Sequence, residues 1–268
     1  MMSTTQPLSK GHFSYTERGH GEPLMLIHGV GMNARAWGPQ MDALMQNYRV
    51  IAVDMPGHGG STALPRGSQL PQFVAWTKEV VEALKLGSVN IAGHSMGALI
   101  AAGFACTAPH AARRVALLNP VFRRSATARA AVKARADEIA KGTFDLETPL
   151  ARWFSDSPAE AQAKALTGQL LSEVSAGGYA TAYAAFAAGD ATYADQIAQI
   201  HAPLLALTAD GDKNSTPEMS RAIANLAPLG RAEIITGHRH MVNLTAPHEV
   251  NAALLQWLKC PTTQEALP

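Results

Sequence analysis

Residues 88–103 read Ser-Val-Asn-Ile-Ala-Gly-His-Ser-Met-Gly-Ala-Leu-Ile-Ala-Ala-Gly, and this stretch decides how the rest of the chain is interpreted. Residues 89–92 form a short apolar run typical of a buried strand, and residues 98–105 are small, apolar and favourable to a helix. Between them lies Gly93-His94-Ser95-Met96-Gly97, which fits the pattern G-x-S-x-G. A strand, this pattern and a helix together predict a sharp turn that exposes a nucleophilic serine, a nucleophile elbow.

The two glycines of the pattern have a steric role. A tight turn brings backbone against backbone, so the positions two before and two after Ser95 cannot hold side chains. The following helix points its free N–H groups and the positive end of its dipole at the serine, where an oxyanion would form. A strand–helix turn with an idle serine is the structural alternative.

Composition restricts the class of protein. The chain has 268 residues, 47% of them hydrophobic, which allows a large α/β core with a small insert. Basic and acidic residues nearly balance, 22 against 21, so we expect no nucleic-acid partner and no membrane binding. The polar N-terminus has no signal-peptide core, and the two cysteines, Cys106 and Cys260, lie far apart. These features favour a reduced, cytoplasmic protein.

Cofactor motifs are missing from the sequence. No cluster of cysteine and histidine has the spacing of a metal site, and no glycine-rich loop has the pattern of a phosphate site. We therefore predict no metal and no cofactor. The expected partner is a small-molecule substrate, and a homodimer stays open.

Short apolar runs alternate with helical segments along most of the chain. The predicted strands cover residues 12–17, 23–27, 48–53, 89–92, 115–118, 203–208 and 231–235. The predicted helices outside the elbow cover residues 34–46, 71–86, 217–226 and 247–258. This alternation predicts an α/β fold, with a mainly parallel sheet covered by helices on both faces.

The strand rhythm stops between residues 121 and 200, which are rich in alanine. Turn-favouring pairs divide this segment into about four helices; the pairs are Gly142-Thr143, Thr148-Pro149, Ser157-Pro158 and Gly177-Gly178. We predict a helical cap over residues 121–200, inserted into a core of residues 1–120 and 201–268. Trp153 and Tyr183 are candidate substrate contacts, although packing of the cap onto the sheet is the alternative role.

A serine nucleophile needs a base, and the base needs an acceptor that fixes its tautomer. Loops at the carboxyl ends of parallel strands meet at one edge of a sheet, so the acid and the histidine are sought there. After residues 203–208, we choose Asp212, which is deep enough in its loop to turn back toward Ser95, over Asp210. After the last strand, we choose His240 over His238 as the base.

Three other polar residues follow strands and receive lesser roles. Asn119 follows the strand at 115–118, but its amide cannot carry the charge that an acid needs. Asp54 lies in a turn rich in glycine and proline, so we predict that it braces this loop. His94, inside the elbow, is predicted to pack or hydrogen-bond under the turn.

An oxyanion hole needs two backbone N–H donors. We predict one from Met96, the residue after the nucleophile, and the other from Val30, in the loop after residues 23–27. Arg123 and Arg124 lie at the entry to the cap. If one of them faces the pocket, the substrate carries a carboxylate; solvated arginines on a cap helix are the alternative.

These motifs together resemble the α/β-hydrolase superfamily, specifically its bacterial members with a helical cap. The matching pieces, in family order, are His28-Gly29-Val30-Gly31, Asp54-Met55-Pro56-Gly57-His58-Gly59-Gly60-Ser61, Gly93-His94-Ser95-Met96-Gly97, Asp212 and His240-Met241. The resemblance covers about residues 12–258 and implies a mixed eight-stranded sheet with the cap inserted after its sixth strand. Ala209 stands where relatives often have glycine, which keeps Asp210 open as the acid.

The resemblance implies a serine hydrolase that cleaves a small carboxylic ester or lactone through an acyl-enzyme. Serine at position 95 disfavours the dehalogenase and epoxide-hydrolase branches, which use aspartate there, and the dienelactone-hydrolase branch, which uses cysteine. The same triad would serve C–C bond hydrolysis of a ring-cleavage product, amide or thioester hydrolysis, or cofactor-free perhydrolysis of the haloperoxidase type. A ligand-binding receptor on this fold is the non-enzymatic alternative.

Overall fold

The computed structural model describes residues 3–143 and 145–262. Its strands are β1 (Thr4–Pro7), β2 (His12–Arg18), β3 (Glu22–Ile27), β4 (Tyr48–Val53), β5 (Val89–His94), β6 (Ala112–Leu118), β7 (Leu204–Ala209) and β8 (Gly230–Ile235). They form one sheet in the order β1-β2-β4-β3-β5-β6-β7-β8. Among these strands β2 runs opposite to the others, so its pairings with β1 and β4 are antiparallel and the remaining five pairings are parallel. The predicted eight-stranded, mostly parallel sheet is confirmed, and β1 is the strand that sequence periodicity missed.

The helices are α1 (Gly38–Leu44), α2 (Leu70–Ala83), α3 (Met96–Thr107), α4 (Ala126–Ala140), α5 (Glu147–Trp153), α6 (Ala161–Glu173), α7 (Ala176–Ala188), α8 (Pro217–Leu226), α9 (Val242–Thr245) and α10 (Pro247–Leu258). The helix predicted over residues 34–46 is a 3-10 turn at Ala34–Trp37 followed by α1. Within the described ranges, every helix is too short or too polar to cross a lipid bilayer.

The sheet separates two apolar cores because successive strand residues face opposite sides. Met25 and Ile27 of β3 pack into a core with α2, α3 and α8, whereas Leu24 and Leu26 pack into a core with α1 and α10. All four side chains are fully buried. Burial on both faces explains why the central strands read as continuous apolar runs rather than as alternating ones.

The cap helices α4 to α7 lie between β6 and β7, after the sixth strand of the chain. Two of the predicted breaks between them are wrong. Thr148-Pro149 falls in the first turn of α5, where proline is tolerated because its missing N–H has no helical partner. Gly177-Gly178 falls in the first turn of α7. The division into a core and a cap at residues 120 and 200 stays a prediction, and its segment 263–268 lies outside the described residues.

Gly178 has a packing role instead of a helix-breaking one. A Cβ atom on Gly178 would lie 2.1 Å from the carbonyl oxygen of Gly57, in the loop that follows β4. Gly57 itself has φ +77°, and a Cβ there would lie 2.6 Å from the Cα of Gly178. The start of α7 therefore rests backbone against backbone on the core.

We expect Gly178→Ala to lower the free energy of unfolding by about 1–3 kcal/mol, because the clash is with backbone that cannot rotate away. Gly177→Ala is the matched control, since a Cβ on Gly177 would meet nothing within 4 Å. It should be neutral or slightly stabilising. Urea unfolding of both variants measures the difference; equal stabilities would contradict the close approach.

Candidate active site

Ser95 stands between the end of β5 and the start of α3. Its backbone has φ +55° and ψ −113°, a conformation that residues other than glycine rarely adopt. The N–H of Ser95 donates a hydrogen bond of 2.9 Å to the carbonyl of Leu118, at the end of the neighbouring strand. The surrounding structure thus holds the residue in a strained turn and aims its hydroxyl away from the sheet.

The flanking glycines are explained by the contacts that side chains would make. A Cβ on Gly93 would lie 2.0 Å from the carbonyl oxygen of Gly97, and a Cβ on Gly97 would lie 2.1 Å from that of Ile27. Both distances are far below van der Waals contact. The turn can therefore close against β3 only with glycine at both positions.

The structure brings Ser95, His240 and Asp212 together in one hydrogen-bonded chain. His240 Nε2 lies 3.1 Å from Ser95 Oγ, and His240 Nδ1 lies 2.7 Å from Asp212 Oδ2. The carboxylate can only accept, so Nδ1 carries the proton and Nε2 is free to accept from the serine hydroxyl. All three residues are buried. This arrangement can remove a proton from Ser95 and stabilise the imidazolium that results.

Asp210 and His238, the alternatives to Asp212 and His240, form hydrogen bonds elsewhere. Asp210 Oδ1 accepts a hydrogen bond of 2.8 Å from the N–H of Gly237, which joins the loops after β7 and β8. His238 Nδ1 lies 3.0 Å from Thr245 Oγ1, and its ring is half-buried. Both residues shape the loops that carry Asp212 and His240.

Asn119 is a residue of the site that sequence reasoning missed. Its Nδ2 donates a hydrogen bond of 2.8 Å to Asp212 Oδ2, the same oxygen that His240 contacts. Asn119 has φ +48°, a left-handed conformation that asparagine tolerates better than most residues. The sequence signal for this role is the position of Asn119 directly after β6, at the sheet edge where β7 also ends. The amide of Asn119 cannot serve as the acid of the site, but it can orient the carboxylate of Asp212.

Asp212 is stabilised in its ionised form. Burial alone would raise the pKa of Asp212, but the charge and hydrogen bond of His240, together with Asn119, lower that pKa below its usual value. The other oxygen, Oδ1, accepts hydrogen bonds from the N–H groups of Asn214 and Ser215. A carboxylate with this many donors remains charged at neutral pH despite its burial.

His94 supports the base from below. Its Nε2 donates a hydrogen bond of 2.8 Å to the carbonyl oxygen of His240, and the two rings lie 5.0 Å apart. Burial, followed by the nearby His240, lowers the pKa of His94 to about 3. A neutral His94 therefore ties the histidine loop to the elbow.

The loop with Val30 lies beside the elbow, since a Cβ on Gly29 would be 3.1 Å from Ser95 Cβ. Val30 lines the cavity described below, and Met96 opens α3, so its N–H has no partner within the helix. The structure thus brings both predicted oxyanion donors into the neighbourhood of Ser95. Their role in stabilising an oxyanion belongs to the proposed mechanism.

Two buried histidines brace that loop. His28 Nε2 accepts a hydrogen bond of 2.9 Å from the N–H of Met55, and His58 Nε2 accepts one of 3.0 Å from the N–H of Gly31. Burial lowers the pKa of His28 to about 4 and that of His58 to about 3. Asp54 contributes from the same turn: its Oδ1 accepts a hydrogen bond of 2.8 Å from the N–H of Ala34.

Ser95 and His240 open into a cavity of about 580 Å³ between the sheet edge and the cap. The predicted substrate contacts Trp153 and Tyr183 both line it. The Trp153 ring lies 5.6 Å from the His240 ring, so α5 covers the base directly. Phe186 extends the aromatic side of this wall.

The two adjacent arginines have different environments. Arg124 is buried and lines the cavity; its guanidinium lies over the Phe186 ring, 3.5 Å from Asp190. Within the described part of the chain, its Nη2 is buried without a hydrogen-bond partner. Arg123 is half exposed, pairs with the exposed Asp195 and does not line the cavity. We therefore retain Arg124 as a candidate substrate contact and discard Arg123, because its guanidinium faces solvent.

The charged side chains of the cavity wall are all cationic, and two of them are paired with carboxylates: Arg124 with Asp190, and Arg135 with Glu138 and Asp145. The charged residues of the wall are Arg124, Arg135, Arg152 and Lys213, and none of its described lining residues is Asp or Glu. Tyr183 lies within the electrostatic reach of all three arginines. Burial raises the pKa of Tyr183, and the positive charges of Arg152, Arg135 and Arg124 oppose that rise. A site with this charge favours an anionic substrate.

Comparison with known proteins agrees with this geometry. The model of the Alpha/beta hydrolase family matches residues 24–253. The chain belongs to this family. The (E)-2-((N-methylformamido)methylene)succinate hydrolase of Acinetobacter baylyi is 49% identical over 260 residues, which cover 97% of this chain and 99% of that protein. This α/β hydrolase is therefore an enzyme of the hydrolase class, as the sequence predicts.

Two solved structures support the α/β-hydrolase fold. An esterase from Thermogutta terrifontis has a TM-score of 0.86 at 22% identity and covers 97% of this chain and 98% of its own. The enol-lactonase from Burkholderia xenovorans LB400 has a TM-score of 0.82 at 24% identity and covers 96% of this chain and 100% of its own. Identities this low establish architecture and not substrate.

We expect this hydrolase to lose stability as the pH falls from 6.5 toward about 4. His28, His58 and His94 are buried as neutral rings with pKa values below the ordinary 6.5, so the unfolded chain binds more protons in this range. Each contributes a loss on the order of 1 kcal/mol per pH unit. Urea unfolding at several pH values measures the slope. His58→Gln should be less stable at neutral pH but show a shallower slope, and an unchanged slope would contradict this origin.

We also expect Asn119→Asp to move the acidic limb of the kcat/KM profile upward by about one pH unit or more. The change removes a donor to Asp212 and adds a negative charge beside the Asp212–His240 pair. The pKa of Asp212 therefore rises, and the protonated, inactive form of the base persists to higher pH. The measurement is the pH profile for hydrolysis of a nitrophenyl ester. Thr208→Val is the control, because Thr208 Oγ1 contacts Asn119 but not Asp212. A profile that stays in place would show that Asn119 is only structural.

Proposed function

We propose that this enzyme hydrolyses an acyl C–N bond in a small carboxylate-bearing substrate, through an acyl-enzyme on Ser95. The observation that carries the proposal is the hydrogen-bonded set Ser95–His240–Asp212 at the base of a cationic cavity without acidic lining residues. The set suits acyl transfer, and the wall suits an anion.

The bond type is inferred from the relative in Acinetobacter baylyi. Its name describes a succinate, with two carboxylates, whose methylene group carries an N-methylformamide. The identity of 49% extends over nearly the whole of both chains, so we take this formamide as the first candidate substrate. It corresponds to the amide alternative of the sequence analysis, and the ester or lactone becomes the second candidate because the same residues would attack either carbonyl.

In the first half of the proposed reaction, Ser95 Oγ attacks the acyl carbon while His240 Nε2 takes the hydroxyl proton. Asp212 holds the imidazole in place and stabilises its positive charge. The N–H groups of Met96 and Val30 stabilise the oxyanion. The C–N bond then breaks, and His240 returns the proton to the departing nitrogen. Ser95 is left as an acyl ester, which is a formyl ester for the formamide.

In the second half, water replaces the departed nitrogen. His240 takes one proton from the water as its oxygen attacks the acyl ester, and the C–O bond to Ser95 breaks. The serine recovers its proton from His240, and the acid is released. For a formamide joined to a methylenesuccinate, the nitrogen lone pair is shared with the conjugated carboxylate as well as the formyl group. That sharing weakens the amide bond and stabilises the leaving group.

We expect Ser95→Ala to lower kcat/KM for formate release from (E)-2-((N-methylformamido)methylene)succinate by about 10⁴-fold or more. Ser172→Ala is the matched control, because Ser172 is exposed on α6 and bonds only to the carbonyl of Gln169. Circular dichroism checks that both variants are folded. A Ser95→Ala enzyme that still releases formate at the wild-type rate would exclude the acyl-enzyme.

The same preparations tested on a nitrophenyl ester and a lactone distinguish the two candidate bonds. Faster turnover of the formamide supports C–N hydrolysis. Turnover of the ester or lactone alone, lost in Ser95→Ala, would move the proposal to the second candidate.

A further inference from the structure

A second pocket adjoins the catalytic cavity at its mouth. It has a volume of about 420 Å³, and Thr148, Arg152 and Lys213 line both spaces. Its wall also includes Arg239. The two spaces therefore share a wall, and the second pocket, called the mouth from here on, carries three cationic side chains.

The guanidinium of Arg239 is already hydrogen-bonded within the protein. Its Nη1 donates hydrogen bonds to the carbonyl oxygens of Ala151 and Phe154, at the end of α5. These bonds satisfy carbonyl groups that a helix end leaves without partners. Arg239 thus fixes α5 against the histidine loop and offers little to a ligand.

Arg152 and Lys213 are different, because no carboxylate neutralises either of them among the residues that the structure describes. Arg152 is on α5 of the cap, and its Nη1 lies 3.5 Å from Asn214 Oδ1. Lys213 is on the loop after β7, next to Asp212. A guanidinium and an ammonium are thus brought to the same opening from two sides, and both are exposed to solvent.

We propose that Arg152 and Lys213 form an anion site at the mouth of the cavity, so that the enzyme selects dianions with one carboxylate at Arg124 and the other at the mouth. The inference deepens the proposed function in its substrate class, but it concerns binding and does not depend on which bond breaks.

The two cationic groups lie in different parts of the cavity. Arg124 is buried beside Phe186 and Asp190 and does not line the mouth pocket, whereas Arg152 and Lys213 do. Nη1 of Arg124 already faces Asp190 and the Phe186 carbonyl, and its Nη2, which has no partner among the described residues, is the donor left for a carboxylate. A monoanion can pair with one group only, whereas in the proposal a dianion pairs with both.

Methylenesuccinate and methacrylate test this pair of sites, because methacrylate is the same scaffold without one carboxylate. Calorimetry near neutral pH on wild type should show methylenesuccinate binding at least about tenfold more tightly. The double variant Arg152→Met/Lys213→Met should lose that factor of about ten for methylenesuccinate and leave methacrylate unchanged. Equal affinities for the two anions in wild type, or equal losses in the variant, would overturn the proposal.

Two further variants complete the experiment. Lys133→Met/Lys141→Met removes the same charge from exposed positions that line neither space, and it should leave both affinities unchanged. If this control loses as much affinity for methylenesuccinate as Arg152→Met/Lys213→Met does, the effect comes from net charge and not from a site at the mouth. Arg124→Lys keeps a charge beside Asp190 but removes the forked donor, and it should weaken both anions. Unchanged binding of both would remove Arg124 from the proposal.

The outcome is separable from that of the proposed function. Selective dianion binding without formate release would reject C–N hydrolysis and keep the anion site. Formate release without dianion selectivity would support C–N hydrolysis and reject the anion site.

Discussion

The close approach of the elbow to β3 is the constraint on which the site depends. Gly97 lies directly against the carbonyl of Ile27, with no room for a methyl group between them. This contact sets where α3 begins and holds Ser95 in its left-handed conformation. The strain is sustained because β3 and β5, which carry the two sides of this contact, are hydrogen-bonded neighbours in the sheet. The nucleophile is thus positioned by sheet packing together with the hydrogen bond from its N–H to Leu118.

Around the elbow, neutral histidine rings form much of the polar part of the site, and the hydrogen bonds of each ring define its tautomer. His28, His58 and His94 are buried without charge, and each exchanges hydrogen bonds with backbone groups of neighbouring loops. A buried polar group is costly only when its partners are missing. These rings therefore act as cross-links between loops that have no apolar core of their own. Asp212 is the buried carboxylate that contacts the base.

Sequence reasoning predicted the core of the fold and proposed Ser95, His240 and Asp212 as the catalytic set because both rest on local patterns. A strand, a glycine-flanked serine and a helix are contiguous, and the acid and the base each follow a strand at a known edge. Features that depend on the packing of distant segments were missed or mistaken. Gly177-Gly178 has the pattern of a helix break, and its packing role depends on the loop at Gly57, 121 positions earlier in the sequence. Arg123 and Arg124 could not be told apart, since only the cap decides which one turns inward.

The contact of Arg239 with the end of α5 has a consequence for the way this enzyme can diversify. The residue just before the base holds the carbonyls of Ala151 and Phe154, so part of the cap and the histidine loop form one mechanical unit. Mutations in α4 or α7, which line the cavity, can reshape the pocket without moving the base. An exchange of caps between relatives, in contrast, would have to carry over α5 and residue 239 together. Recombination in this family should therefore respect that junction, and grafts that cut through it should yield well-folded proteins with misaligned histidines.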